Sequence, residues 1–186
     1  MKLFIKNMNN LRSLVVVESE LVRLGLQPVD VAMGEANVQE DLTVPQHIRL
    51  RIALRQSGLE LLEKKIDILV HRIKHLIVDV VYSEQPPEQN LSDYLSATLG
   101  YDYTYMSNMF SDAMKITIEK FYICNRVERV KQLMLYEGLT LTEIARKMRY
   151  CNPAHLSSQF KKITGHTPSQ FKRENRDKRP LPVHCG

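Results

Sequence analysis

The sequence has no tryptophan and only three cysteines, seven glycines and eight prolines among its 186 residues. So little glycine and proline excludes collagen-like and low-complexity chains. The longest uninterrupted apolar run, residues 14–17, is far shorter than the roughly 20 residues that a membrane-spanning helix needs. The first six residues carry an early charge and no apolar segment long enough for a secretion signal, so we expect a cytosolic protein without a membrane partner.

The cysteines, Cys124, Cys151 and Cys185, are odd in number and form no Cys-x-x-Cys pair. This usage indicates neither a disulfide framework nor a zinc site, and each thiol is expected to be unreactive. The hydrophobic share of 44% and the charged share of 25% are those of a globular chain. The length allows one ordinary domain or two small ones.

The positive charge is concentrated at the C-terminal end. Residues 1–63 and 64–139 each carry a net charge of −1, whereas residues 140–186 hold ten basic and three acidic residues, a net +7. A basic field of this density predicts a polyanionic partner. A solvated basic tail is the alternative, and it fits residues 172–179 best.

The first 63 residues alternate strand and helix patterns. The predicted order is strand, helix, strand, strand, helix and strand, with the segments at 2–6, 11–24, 29–33, 36–42, 45–58 and 59–62. Ile48, Ile52 and Leu59 are expected to face the core. The order predicts a small α+β domain of the ferredoxin-like, two-layer type.

The loop after the first strand reads Met8-Asn9-Asn10-Leu11-Arg12-Ser13. Residues 1–63 resemble the heavy-metal-associated domain family, whose members bind a soft metal through a Met-x-Cys-x-x-Cys loop at this place. Asn10 and Ser13 stand where thiolates would be, and an amide with a hydroxyl cannot replace two thiolates for copper(I) or zinc. No metal or other cofactor is therefore expected.

Residues 64–82 predict one amphipathic helix. Ile66, Leu69, Ile73, Leu76 and Val80 follow a 3-4 spacing, which favours packing within the protein over self-association, and a homodimer through the 64–82 helix is the open alternative. His71 and His75 lie one turn apart on this helix. Without a third ligand, two solvated imidazoles are expected there rather than a metal site. Residues 83–89 contain two prolines and form a linker.

After the linker, two stretches share one plan. In the first, Asn90 is a candidate N-cap, a short helix over 91–99 ends at Gly100, and a second helix carries Met106 and Phe110. In the second, Thr140 and Glu143 form a capping box, a helix over 141–148 ends near Arg149, and a helix opened by Pro153 carries Leu156 and Phe160. An amphipathic helix over 118–137 separates them. Small residues within each first helix, Ser96 and Ala145, allow a close helix crossing, so two helix-turn-helix units in a mainly α fold are predicted.

Residues 156–171 read Leu-Ser-Ser-Gln-Phe-Lys-Lys-Ile-Thr-Gly-His-Thr-Pro-Ser-Gln-Phe. Residues 85–176 resemble the tandem helix-turn-helix DNA-binding domain of AraC/XylS-type bacterial transcription regulators, whose signature contains the phrase Phe-Lys-Lys-x-Thr-Gly-x-Thr-Pro. The second turn has Arg149 where the family usually has glycine, so we expect a strained residue there. The chain divides into a domain at 1–63, a connecting helix at 64–84, the DNA-binding domain at 85–179 and a tail at 180–186.

The resemblance implies that two recognition helices enter adjacent major-groove segments of double-stranded DNA. By this resemblance, the base-reading residues of the first helix are Thr104, Ser107 and Asn108, with Tyr103 and Tyr105 flanking them. Those of the second helix are Pro153, Ala154 and Ser158, with His155 and Gln159 adjacent. Lys161 and Lys162 suit phosphate neutralisation better than base reading. For Tyr103 and Tyr105, packing on the turn is as well supported as DNA contact. RNA polymerase is a further partner that a regulator of this type allows.

Other function classes have weaker support. No catalytic triad, paired-carboxylate arrangement or phosphate-binding glycine loop is present, so an enzyme is not expected. The main alternative is a metal-handling or other interaction protein that uses the ferredoxin-like domain. DNA binding with a steep salt dependence separates the regulator from this alternative.

Overall fold

The computed structural model describes residues 1–175. The chain forms two compact units, residues 1–75 and the residues from Leu76 onward, so the division falls inside a helix. The predicted domain boundaries at 63, 84 and 179 therefore stay predictions. The predicted tail at 180–186, the end of the basic stretch beyond residue 175 and Cys185 lie outside the described residues.

The first unit has the predicted strand and helix order. Its elements are β1 (Lys2–Lys6), α1 (Leu11–Arg23), β2 (Pro28–Ala32), β3 (Glu35–Val38), α2 (Val44–Gln56) and β4 (Glu60–Leu61). The sheet order is β2-β3-β1-β4, and every neighbouring pair is antiparallel. This is the ferredoxin-like arrangement, which confirms the predicted fold of the segment.

Both helices of this unit cover the same face of the sheet. Leu3 and Ile5 of β1 share one buried cluster with Val17 of α1 and with Leu50 and Leu54 of α2. Alternate residues of a strand point to one face, so the odd-numbered positions of β1 build this core.

The loop that would hold a metal in the resembled family is the start of α1. Asn10 is the N-cap, and its side-chain oxygen accepts a hydrogen bond from the backbone N–H of Ser13 at 2.9 Å. The Ser13 hydroxyl in turn accepts from the Asn10 backbone N–H at 3.3 Å. The two residues at the thiolate positions therefore stabilise the helix start as a capping box.

The prediction that Ile48 and Ile52 face the core is wrong. These side chains are 43% and 51% exposed, whereas Leu50, Ala53 and Leu54 are buried. Two residues correspond to about 200° of helix rotation, so a face containing Leu50 and Leu54 turns Ile48 and Ile52 outward. An apolar pair one turn apart does not by itself tell the inner face from the outer one. Leu59 is buried as expected.

The predicted connecting helix is α3 (Lys65–Tyr82). Of the predicted stripe, Leu69 and Ile73 are buried, Leu76 and Val80 are half-buried and Ile66 is 47% exposed. The buried face is completed by Val70, Ile77 and Val81.

The two histidines of α3 are not simply solvated. His71 Nε2 lies 3.1 Å from the backbone oxygen of Gly34, and the His71 and His75 ring centroids are 4.3 Å apart. Gly34 has a φ of +82°, and a Cβ there would lie 2.5 Å from His75 Nε2 and 2.6 Å from His71 Nε2. Only glycine therefore fits the turn that meets this pair.

The second unit is helical and follows the predicted tandem plan. Its helices are α4 (Leu91–Leu99), α5 (Tyr103–Met114), α6 (Ile118–Leu135), α7 (Leu141–Lys147), α8 (Pro153–Thr164) and α9 (Pro168–Glu174). Helix α6 ends two residues before the predicted end, and α7 ends one residue before it. Helix α9 was not predicted, although Thr167 and Gln170 give it a capping box. Within residues 1–175 no helix is both long and apolar enough to cross a membrane.

Candidate nucleic-acid interface

Helix α5 is fixed at both ends and by two buried anchors. The Asp102 carboxylate caps it by accepting from the backbone N–H of Tyr105 at 3.1 Å. Met106 and Phe110 are fully buried, and the Phe110 ring meets Phe121 of α6 edge-on at 5.6 Å. The helix is thereby held against α6 with its opposite face free.

The predicted reading residues of α5 divide into exposed and half-buried sets. Thr104, Tyr105 and Asn108 are exposed, whereas Tyr103 and Ser107 are half-buried. The Tyr105 ring is stacked on Tyr101 with 5.7 Å between the centroids.

Tyr103 differs from Tyr105 in its surroundings. Burial, with a smaller contribution from the negative charge of Glu119, raises the pKa of the Tyr103 hydroxyl above its usual value. Tyr103 is thus partly packed, whereas Tyr105 is 46% exposed.

Helix α8 is built in the same way. The Asn152 side-chain oxygen accepts from the backbone N–H of His155 at 2.8 Å, and Pro153 occupies the first turn. Leu156 and Phe160 are its buried anchors, and the Phe160 ring meets Phe171 edge-on at 5.5 Å. A proline in the first turn removes no helical hydrogen bond and fixes the entering chain.

The predicted residues of α8 are also brought to one surface. Ala154, His155 and Ser158 are exposed, and so are Lys161 and Lys162 further along the helix. Pro153 and Gln159 are half-buried.

The two helices repeat one pattern of burial. Each has 12 residues, and each residue of α5 has a counterpart 50 positions later in α8. The buried pair Met106 and Phe110 corresponds to Leu156 and Phe160. The exposed set Thr104, Tyr105 and Asn108 corresponds to Ala154, His155 and Ser158.

The turns that lead into α5 and α8 differ by one residue. The left-handed residue is Gly100 (φ +73°) in the first unit and Arg149 (φ +52°) in the second. Two residues follow Gly100 before α5 begins, but three follow Arg149 before α8 begins. Arg149 therefore has the left-handed backbone expected for a residue that stands where glycine is usual. Its Nη1 donates to the backbone oxygen of Pro87 at 3.3 Å.

Sequence reasoning missed a network around Tyr150, which lies in the longer turn and is 8% exposed. Its hydroxyl donates to Gln159 Oε1 at 2.7 Å, and its ring meets that of His155 edge-on at 5.5 Å. The guanidinium of Arg126 lies over the same ring, 3.9 Å from its centroid, and donates to the backbone oxygen of Met148. An aromatic residue three positions before the start of α8 was the available signal.

Tyr150 stays protonated in this setting. Burial raises the pKa of its hydroxyl above the usual value, which outweighs the opposing charge of Arg126. The hydroxyl therefore remains a donor to Gln159 and holds the side-chain oxygen of this predicted DNA-binding residue.

The charges near α7 and α8 are only partly paired. Glu137 bonds Lys147 at 3.0 Å and Arg129 at 3.2 Å, and the hydrogen bond from Lys147 is the main cause that lowers the pKa of the Glu137 carboxyl. Within residues 1–175, Lys161 and Lys162 make no ion pair and remain free to meet an anion. No group of three or more His, Cys, Asp or Glu side chains in the same residues is arranged to hold a metal ion.

Comparison with known proteins shows what the second unit is similar to. Residues 95–174 match the protein family described as helix-turn-helix domain. The chain is 25% identical over 112 residues to an uncharacterized HTH-type transcriptional regulator, YtdP, of Bacillus subtilis (strain 168), which covers 60% of this chain and 14% of the relative. It is 32% identical over 81 residues to an uncharacterized HTH-type transcriptional regulator in the cgkA 5′ region of Pseudoalteromonas carrageenovora, which covers 44% and 48%. The chain thus spans less than half the length of these curated relatives.

A solved structure has the same fold over most of its length. The C-terminal domain of AraT, a response regulator from Geobacillus stearothermophilus, superposes with a TM-score of 0.54 at 21% identity. The match covers 66% of this chain and 98% of that domain. The matched family, the repeated burial pattern of α5 and α8 and this common fold agree, and residues 95–174 form a helix-turn-helix domain that matches the AraC-type family.

Proposed function

We propose that this chain is a sequence-specific DNA-binding transcription regulator in which α5 and α8 read adjacent major-groove segments of double-stranded DNA. The observation that carries the proposal is the repeated exposed set at the start of each helix. Its members are Thr104, Tyr105 and Asn108 on α5, and Ala154, His155 and Ser158 on α8. Buried anchors behind each set fix the side chains in position, as readout of base edges requires.

The exposed side chains suit different bases. The Asn108 amide can pair with the N6 and N7 atoms of adenine, and the Ala154 methyl can contact a thymine methyl group. Gln159 would also suit adenine, but its Oε1 already accepts from the Tyr150 hydroxyl. We therefore assign reading in α8 to Ala154 and Ser158 before Gln159.

The tyrosines of α5 take separate roles in this proposal. Tyr105 is exposed and stacked on Tyr101, so its ring is placed for DNA contact. Tyr103 is partly packed beside Glu119, so we assign it to positioning the turn.

We assign the part of the DNA affinity that does not depend on the DNA sequence to the basic end of the chain. Lys161 and Lys162 are exposed, and residues 140–186 carry a net charge of +7. Phosphate contacts from such residues release counterions, which makes binding steeply dependent on salt.

Two further partners stay predictions. RNA polymerase is one, because a regulator at a promoter can act by contacting it. A second copy bound through the 64–82 helix is the other, although Leu69 and Ile73 of its apolar stripe are buried and only Ile66 of the stripe is exposed.

The cap of α1 argues against the competing function, which is metal handling by the ferredoxin-like unit. Asn10 and Ser13, at the positions of the thiolates, bond each other in the cap of α1.

Footprinting tests the proposal. Binding of the full chain to a selected genomic site should protect two adjacent major-groove segments about one helical turn, ~34 Å, apart. The double variant Thr104→Ala with Asn108→Ala should lose one of these segments and keep the other. Ser19→Ala, at an exposed position of α1, is the control and should keep both. Protection of a single segment by the unchanged chain would show that only one helix reads DNA.

A further inference from the structure

The second unit contains a cavity of about 210 Å³. It is lined by the end of α3, the linker at 83–89, one face of α6 and the end of α7 with the turn that follows it. None of the lining residues belongs to the exposed sets of α5 and α8. Sites for drug-sized ligands usually enclose about 300–1,000 Å³, so this cavity suits a smaller molecule.

Part of the lining is apolar. It includes Val80 and Val81 of α3, Pro86 and Pro87 of the linker, and Leu91 at the start of α4. Val81 is buried, and the two prolines are half-buried. These side chains favour an apolar group of a ligand over water, because the removal of apolar surface from water is favourable.

The rest of the lining has an excess of positive charge. Its four basic residues and one acidic residue, a net charge of +3, are Arg126, Arg129, Lys147, Arg149 and Glu84. Arg129 and Lys147 both pair with Glu137, at 3.2 and 3.0 Å. Within residues 1–175, Arg126 and Arg149 make no ion pair, so these two guanidinium groups are available to an anion.

Arg126 is held in place for such a contact. Its guanidinium lies 3.9 Å from the ring centroid of Tyr150 and 5.5 Å from that of Tyr122, and it donates to the backbone oxygen of Met148. A guanidinium has five N–H donors, and within the described residues Arg126 uses one of them. The others can bind two oxygens of one anionic group, and a side chain that is already fixed loses little freedom on binding.

Arg149 adds a second guanidinium to the lining. Its Nη1 donates to the backbone oxygen of Pro87 at 3.3 Å, which joins the linker to the turn before α8. The side chain is exposed and makes no other hydrogen bond within residues 1–175. One small cavity thus combines two arginines without a carboxylate partner and an apolar lining.

We propose that this cavity binds a small organic anion that consists of an anionic group and a compact apolar body. The anionic group lies against Arg126 and Arg149, and the apolar body lies against Val81 and the two prolines. A DNA phosphate would satisfy the arginines but would leave the apolar lining in water, whereas a neutral apolar molecule would leave both arginines without an anion. An organic anion satisfies both parts of the lining.

Titration of the full chain with benzoate, followed by the amide chemical shifts in NMR spectra, tests the site. Benzoate should bind with a Kd on the order of 1 mM or lower and shift the amide signals of Val81, Tyr82, Met148 and Arg149. Acetate, which lacks the ring, and benzamide, which lacks the charge, should each bind at least about tenfold more weakly. The titration contains no DNA, so its result does not depend on the proposed function.

Three results of this titration would overturn the proposal. The first is no binding at about 10 mM benzoate. The second is a set of shifts confined to residues away from the cavity. The third is acetate or benzamide binding as tightly as benzoate, because the site would then recognise any anion, such as a DNA phosphate, or any apolar ring.

Two variants that each remove one positive charge separate the cavity from the general basic field. Arg149→Asn keeps a residue type that tolerates the left-handed turn and should weaken benzoate binding by at least about tenfold. Arg146→Gln, at an exposed position of α7 that does not line the cavity, is the matched control and should leave the affinity unchanged. Equal weakening in both variants would assign the binding to the overall charge and overturn the proposal.

Glu84 provides a test of the opposite sign. Its exposed carboxylate lines the cavity and repels an anion there. Glu84→Gln should therefore bind benzoate at least as tightly as the unchanged chain, and weaker binding would contradict the proposed placement of the anionic group.

Discussion

At the scale of single residues, Arg149 carries backbone strain in a functional turn. Its φ of +52° is left-handed, which costs a residue with a Cβ about 1–2 kcal/mol. We predict that Arg149→Gly is more stable than Arg149→Ala by about 1 kcal/mol, because both lose the guanidinium but only glycine loses the strain. Urea unfolding of the two variants measures this difference.

Comparing the stability of the glycine variant with that of the unchanged chain measures what the guanidinium of Arg149 contributes. Its bond to the Pro87 backbone oxygen is exposed and worth roughly 0.5–1 kcal/mol. Equal stabilities of the glycine and alanine variants would mean that the turn takes another geometry in solution.

His71 should make the stability of the chain depend on pH. Burial above all, with the charges of His75 and Lys74, lowers its pKa from 6.5 to about 4, against the raising effects of the Gly34 carbonyl and Glu35. The unfolded chain therefore binds the proton more readily than the folded chain between these values. Stability is full above pH 6.5 and falls as the pH drops towards 4, by on the order of 1–3 kcal/mol after allowance for partial exposure.

Urea unfolding at pH 7.5 and at pH 4.5 checks this dependence. His71→Gln should reduce the difference between the two midpoints, whereas His166→Gln, at an exposed position, should not. An unchanged difference in His71→Gln would assign the pH effect to other groups.

At the scale of elements, the sequence specified the inner faces of α5 and α8 better than that of α2. Asp102 and Asn152 cap α5 and α8, and the anchors are large aromatic or aliphatic residues that leave little choice of inner face. In α2 the apolar residues lie all around the helix, so the spacing of Ile48 and Ile52 fits an inner or an outer row equally well. Packing against the sheet decides between them, and that information is not local in the sequence.

The hydrogen bond that holds Gln159 shows that some contacts of the candidate interface also cannot be predicted from local sequence. Thr104, Asn108 and Ser158 were expected to read bases because of the resemblance to the AraC/XylS-type domain, and they are exposed, as base reading requires. The hydroxyl of Tyr150, which lies in the longer second turn, donates to Gln159. This contact joins a turn residue to a helix residue nine positions later, and spacing rules for helices do not predict such a contact.

If α5 and α8 bind DNA as proposed, the two helices should contribute differently to the affinity. Lys161→Ala with Lys162→Ala should weaken binding to specific and scrambled DNA alike and reduce the salt slope by about one for each lost phosphate contact. Asn108→Ala should instead cost roughly 1–3 kcal/mol on the preferred site only. Salt titrations on both DNAs measure the two effects.

A matched pair of lysines gives the control. Lys64 and Lys65 are also adjacent and exposed, and their replacement by alanine should leave both titrations unchanged. If the Lys161 and Lys162 variant loses only specific binding, or Asn108→Ala weakens both DNAs equally, the division between the helices is wrong.

At the scale of the whole molecule, a ferredoxin-like unit without thiolates accompanies a helix-turn-helix unit. We predict that the full chain takes up neither copper(I) nor zinc tightly, because Asn10 and Ser13 are poor ligands and bond each other. Dialysis followed by elemental analysis measures the uptake. Asn10→Cys with Ser13→Cys is the positive control and should gain copper(I) binding, whereas stoichiometric uptake by the unchanged chain would contradict the prediction.

The common burial pattern of α5 and α8 also makes their outer residues exchangeable. Thr104, Tyr105 and Asn108 can be swapped with Ala154, His155 and Ser158 without changing one buried anchor. Each surface would then be carried by the other helix, on an unaltered scaffold. If α5 and α8 read DNA as proposed, such a chain would prefer a site whose two halves follow each other in the opposite order, and six side chains would set the polarity of the chain on its DNA.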